Sequence, residues 1–161
     1  MAIAFELQVT FGEPSAGQPF FDYVNARLEP VTIRDKVIGI HPAYGSFANP
    51  ERHPIHYVSI VPKGVGMGVS FDRDEDRVRL NGDELLELSL YLYDCLRGAP
   101  QYEGAVAGWE VTGIDPVKDA LEGSSFEGQV VPSALADRLG DEWKAFDDTH
   151  IWVPLTEMDA F

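Results

Sequence analysis

Residues 81–100, NGDELLELSLYLYDCLRGAP, carry the clearest change of period in the chain. Asn81 stands three places before Glu84, the spacing at which an asparagine caps a first turn and a glutamate reaches back to it. Asp83 and Glu84 also suit the positive end of a helix dipole. Leu85, Leu88, Leu92 and Leu96 then form one stripe, widened by Leu86, Leu90 and Tyr93. Gly98 and Pro100 stop it. The pattern predicts a helix over about 82–97, apolar around most of its circumference and therefore packed against a sheet.

The flanking sequence supplies that sheet. Ile3, Phe5, Leu7, Val9 and Phe11 alternate with other residues over 2–11, the period of a half-buried strand. Phe20, Phe21, Val24 and Leu28 recur at helical spacing, although Tyr23 and Val24 would also suit a strand, and 31–40 is a β-branched run broken at Arg34-Asp35-Lys36, which reads as a hairpin or a bent strand. Residues 42–54, dense in Pro, Gly and Asn, read as a loop. The runs 55–61, 65–71 and 77–80 are separated by turn residues and read as a three-stranded meander. Beyond the helix, 102–112, 126–131 and 149–155 have strand composition, with a helical turn at 117–121 and a short helix at 134–139. The expected fold is α+β: a mostly antiparallel sheet packed against one long central helix (about 82–97), with short additional helices, as a single globular domain over 1–161.

Charge is distributed unevenly. Residues 1–80 hold 8 Lys+Arg and 10 Asp+Glu, and 81–161 hold 4 and 17, so −2 and −13 of the total −15 fall in the two halves. A field of that sign attracts a basic partner and repels nucleic acid and anionic membranes. An acidic bias imposed by a high-salt or GC-rich source would colour both halves alike. Met1–Thr10 has no basic flank and is interrupted by Glu6 and Gln8, so it reads as neither a signal peptide nor a transit sequence. With a lone Cys95 in an apolar run, a reduced, cytoplasmic protein is expected.

Four groups of residues carry candidate chemistry. Asp72, Asp74 and Asp76 begin with the spacing of a calcium loop, and Asp83 holds its twelfth place. Arg77 stands where the turn needs glycine, and an aspartate replaces the bidentate glutamate, so a solvated hairpin tip explains the segment. His41, His53 and His56 lie close in sequence, but prolines flank them and no second ligand pair accompanies them, so no metal is expected. Gly64, Gly66 and Gly68 imitate a phosphate loop without the helix that would receive the anion, so no cofactor is expected either. A thiol such as Cys95 on an apolar helix reads as inert core.

The fourth group is the acidic cluster Asp137, Asp141, Glu142, Asp147 and Asp148 around Trp143 and Phe146, offset only by Arg138 and Lys144. Carboxylates steer a cationic protein and a tryptophan anchors it, so Asp137, Asp141, Glu142, Trp143, Asp147 and Asp148 form the expected partner-binding set. The alternative is that Trp143 and Phe146 are core and the acids coat its outside. On these grounds the chain reads as an acidic module that neutralises a basic protein, such as a toxin, in the manner of an immunity protein or antitoxin. One alternative is an acidic secretion or assembly chaperone, dimeric and grooved, masking a client. Another is a small enzyme whose His41, His53, His56 and His150 meet carboxylates such as Asp72 or Glu110 only in the fold.

Overall fold

β1 (Ile3–Phe11) is the strand on which the fold is built. A computed structural model describes residues 3–49, 51–67 and 77–160. Among the described residues three α-helices and nine further strands follow in chain order: α1 (Gly17–Arg27), β2 (Val31–Ile33), β3 (Lys36–Ile38), β4 (Ile40–Asn49), β5 (Arg52–Pro62), β6 (Gly66–Met67), α2 (Gly82–Asp94), β7 (Gly104–Trp109), α3 (Pro116–Leu121), β8 (Val130–Pro132), β9 (Lys144–Ala145) and β10 (His150–Trp152). Eight of the strands make one sheet, ordered β4-β5-β1-β7-β8-β10-β9 with β6 beside the start of β1, and β2 and β3 pair separately. Every described strand pairing is antiparallel.

The expected organisation on one long central helix is corrected here. α2 has 13 residues, and from Cys95 to Ala99 the backbone closes tighter turns, such as Leu96 N–H to Tyr93 C=O at 3.0 Å. Gly98, with φ 78°, ends the segment. The helix is shorter than its apolar stripe because the stripe continues through these turns to Leu96, which stays buried. The sheet dominates, and α2 is one of several short helices laid on it. The capping box at its start is real: Asn81 Oδ1 accepts from Glu84 N–H at 3.0 Å, and Glu84 Oε2 accepts from Asn81 N–H at 2.9 Å.

β1 explains the dominance of the sheet. Its apolar side, Phe5, Leu7, Val9 and Phe11, joins Leu85, Leu88 and Leu92 of α2 and Phe20 and Val24 of α1 in the main core. Its other side, Glu6, Gln8 and Thr10, is buried as well, so the strand is not half-buried as its alternation predicts. The 110–115 segment covers that side. Gln8 Nε2 donates to the Ile114 carbonyl at 2.7 Å, Gln8 Oε1 accepts from Gly113 N–H at 2.8 Å, and the Thr112 hydroxyl donates to Glu6. Buried polar atoms with partners cost little, and these tie the crossing segment to the sheet.

Residues 42–49 and 52–54 are not a loop but part of the strands β4 and β5. Lys63 N–H bonds to the Gly39 carbonyl at 2.7 Å, which fixes the alternation of the ladder. Pro42 and Pro62 therefore fall in pairs that exchange no bonds across β4 and β5, so neither proline breaks the ladder. Gly45 is required for packing: a Cβ there would lie 2.1 Å from the Tyr57 ring. Among the described residues the predicted meander does not form. β5 pairs with Leu7–Phe11 of β1 and β6 with Ile3–Ala4, so one long strand takes both, and 77–80 forms no strand. The rest of the 65–71 run and the triplet Asp72, Asp74 and Asp76 lie outside the described residues.

The join between β7 and β8 is narrow. Only Ala105 and Val130 pair there. Beyond that point the Tyr93 hydroxyl replaces the ladder, accepting from Ala107 N–H at 2.8 Å and donating to the Gly128 carbonyl at 2.6 Å. Gly128 has φ 83°, and a Cβ on it would meet that hydroxyl at 2.5 Å.

Candidate functional site

The acidic residues of 137–148 gather at the β9 end of the sheet. Asp137 belongs to a 3-10 segment, Ser133–Arg138, that follows β8. Asp141 and Glu142 lie in the turn before β9, and Asp147 and Asp148 in the turn between β9 and β10. Asp137, Asp141, Glu142 and Asp148 are exposed, and among the described residues no ion pair reaches them. Their neighbouring contacts are weak competitors. Ser125 Oγ donates to Glu142 at 3.0 Å, and Lys144 Nζ turns away to the main-chain carbonyl of Asp141 at 2.7 Å.

Trp143 and Asp147 have other duties. Trp143 is 9% exposed and completes a second apolar cluster with Val117, Ala120 and Val131, bordered by Leu135, Leu139, Ile151 and Val153. That cluster sits under α3, so the aromatic side chain expected as an anchor is spent on folding. Phe146 is core too, its ring edge-on to Trp152 at 5.2 Å with the Arg97 guanidinium 4.3 Å above it. Arg97 also donates to the Phe146 carbonyl. Asp147 Oδ1 accepts from Thr149 N–H at 2.8 Å and His150 N–H at 2.9 Å, closing the turn that starts β10. Burial pushes the Asp147 carboxyl upward, but these hydrogen bonds, the Thr149 hydroxyl and the nearby His150 bring it below the ordinary aspartate value.

The acids after residue 80 do not all project outward. Glu84 is buried and its carboxylate meets Lys36 Nζ at 2.6 Å, which, with the Asn81 main-chain bond, holds it below the usual glutamate range. Asp83 lies 4.0 Å from Arg34, Asp94 3.1 Å from Arg97, and Glu122 3.2 Å from Lys118. Asp115 is buried against Asn49 Nδ2 at 3.0 Å and caps α3. Two basic residues of the first half, Arg34 and Lys36, are thus occupied at the start of α2. Among the described residues, exposed carboxylates without an ion pair stand at the β9 end and also elsewhere, at Glu87 on α2, Glu110 after β7, Glu127, Glu157 and Asp159.

The histidines are dispersed. His41 lies on β4, His56 on β5 and His150 on β10, and the side chain of His53 lies outside the described residues. His150 stacks flat on Tyr102 at 4.0 Å, with Nε2 3.2 Å from the Tyr102 carbonyl and Nδ1 2.8 Å from the Thr149 hydroxyl. A carbonyl neighbour requires Nε2 to carry the proton. Burial holds this imidazole below its ordinary pKa. Among the described residues no three His, Cys, Asp or Glu side chains come together as metal ligands. Burial also pushes the Cys95 thiol up to about 11, so it is a poor nucleophile at neutral pH.

Among the described residues several concavities open to solvent, with volumes of about 120 to 440 Å³. One of about 310 Å³ is lined by Val65, Leu85, Trp109, Arg77 and Arg79. A second of about 280 Å³ lies between Phe11, Glu13, Tyr102 and Pro132, and a third of about 440 Å³ between Glu51, Glu103, Lys118 and Glu122. No histidine lines them, nor does any acid of 137–148.

No family model matches the chain, and no curated protein and no solved structure resembles it significantly. Among the described residues no helix is long and apolar enough to cross a membrane. The residues that sequence reading missed are Tyr93 and Arg97, which hold the acidic end to α2. Their partners, Ala107, Gly128 and Phe146, are remote in sequence, so no local pattern marks them.

Proposed function

We propose that this chain is an acidic protein-binding module that takes a basic protein at its β9 end, in the manner of an immunity protein or antitoxin. The observation that carries the reading is the exposed set Asp137, Asp141, Glu142 and Asp148, without a compensating cation among the described residues, on a chain of net charge −15. Fixed carboxylates on turns of a folded sheet raise the encounter rate with a cationic protein and orient it, and both effects are screened by salt. With Trp143 turned inward, the reading assigns recognition to charge pairing with lysines and arginines of the partner instead of to an aromatic anchor.

The test takes candidate basic proteins from neighbouring reading frames and measures their association rate by stopped-flow at increasing ionic strength. The expected result is a rate that falls steeply with salt. It also falls by about tenfold or more at low salt in the combined variant Asp137→Asn, Asp141→Asn, Glu142→Gln, Asp148→Asn. Each of those side chains is exposed, so the variant keeps the fold. An association rate indifferent to both changes would sink the reading.

A further inference from the structure

β4 is a sheet edge of ten residues with no described strand on its outer side. The ladder alternation set by the Gly39–Lys63 bond turns the main-chain N–H and C=O of Tyr44 and Ser46 away from β5. Ala43, Tyr44 and Ser46 are exposed, Tyr44 by 51%. Natural sheets guard such edges with charge, proline, bulges or extreme shortness. Here the guards stand only at the ends, with Pro42 on one side and the irregular register between Phe47 and Asn49 on the other. Between them the edge is open, and the run 37–50 contains no charged residue at all.

We propose that this open edge pairs with a second copy of the same chain, antiparallel about a two-fold axis at Gly45, so that two sheets become one. Three observations select that occupant. The first is register: with Gly45 on the axis, Tyr44 of one copy faces Ser46 of the other, and each such pair exchanges both outward N–H···O bonds. The second is shape. Large faces small at every step, Tyr44 against Ser46 and Phe47 against Ala43, with Gly45 meeting itself. The third is charge. Two chains of −15 repel wherever their acids approach, and an uncharged edge is where copies meet at least electrostatic cost. A basic protein gains nothing from an edge without carboxylates.

A charge beside the edge is Asp22 on α1, whose field reaches Tyr44 and whose carboxylate accepts from Gln18 at 2.8 Å. One such charge per copy flanks the joint, and screening it strengthens the pairing. The dimer therefore forms more readily as salt rises, the reverse of the response expected for a basic partner. The open window is short, so the association is a concentration-dependent equilibrium.

Sedimentation velocity on the purified chain, over a wide concentration range at low and high salt, tests this. The expected result is a shift from monomer to dimer with concentration, a dimer fraction that grows with salt, and no larger species. Ser46→Pro, which removes an outward N–H, and Ser46→Glu, which sets like charges across the joint and beside Asp22, each weaken dimerisation by about tenfold or more. Far-ultraviolet circular dichroism and the melting midpoint of Ser46→Glu stay as in the parent. A chain that remains monomeric throughout, a dimer that loosens with salt, or a dimer unaffected by Ser46→Glu would overturn the proposal. None of these outcomes bears on the β9 end, so the two proposals fail separately.

Discussion

From β4 to β7 each strand of the main sheet meets its neighbour along a run of residues, Leu7–Phe11 of β1 against β5 and Phe5–Thr10 against β7. Across the next step, β7 meets β8 at Ala105–Val130 alone. The first half is held by ladder bonds and the main core. The second half, which carries the exposed carboxylates, is held by side chains: Tyr93 at the seam, Arg97 on Phe146, and the cluster around Trp143. A sheet so divided exchanges and melts unevenly, because local openings follow the weakest cooperative join.

The sharpest way to break the contrast is Trp143→Ala. Emptying the second cluster costs about 3–5 kcal/mol, the range for large aromatic truncations in cores. Denaturant unfolding measures the loss, and hydrogen exchange would find amides of 130–152 deprotected well before those of β1 and β5. Equal deprotection of both halves would contradict a seam at β7–β8.

Tyr93→Phe is a narrower cut. It keeps the ring between Phe146 and Trp152 but leaves the Ala107 N–H and the Gly128 carbonyl without their partner, a loss of about 2–4 kcal/mol for buried groups. The Ala107 amide should exchange faster while the Leu7 amide hardly changes. If Ala107 stays protected, the hydroxyl is not what closes the seam.

The smallest effect expected is that of pH. His150 is buried with a pKa below its ordinary 6.5, so the unfolded chain binds the proton more readily than the folded one. The stability this neutral ring contributes is complete above pH 6.5 and is lost as the pH falls from there toward the folded value. Asp147, also lowered, adds a second loss only once the pH falls below its ordinary 3.8. Melting midpoints recorded across this range should decline below pH 6.5 in the parent and flatten in His150→Gln. A parent whose midpoint holds steady there would remove His150 from the account.

Local chemistry was legible in the sequence where both partners of an interaction are neighbours. The capping box of α2, the turn at Arg34-Asp35 with φ 56° at Arg34, and the helical turn at 117–121 are of that kind; that Asp115 caps that turn was not read. The Phe20–Leu28 periodicity likewise becomes α1. Where partners are remote, composition misled. Pro42, Gly45 and Pro54 look like loop residues, yet two of them sit at ladder positions that exchange no bond or need room for Tyr57, a fact fixed only by the pairing of β4 with β5. Glu6, Gln8 and Thr10 look solvent-facing until 110–115 folds across them. In the acidic cluster the charges were readable, but the inward turn of Trp143 was not, because Val117 and Val131, which receive it, lie in other elements.

The positions of the tryptophans have a practical consequence. The chain has three, Trp109 on β7, Trp143 under α3 and Trp152 on β10, and all stand on the side of the sheet away from β4 and β5. Emission excited at the indole band thus reports, through Trp143 and Trp152, events near the carboxylates and little of the opposite rim, whose rings include Tyr44 and Tyr57. The molecule comes with a one-sided optical label, and a single fluorimeter can assign a ligand to one rim or the other without any dye.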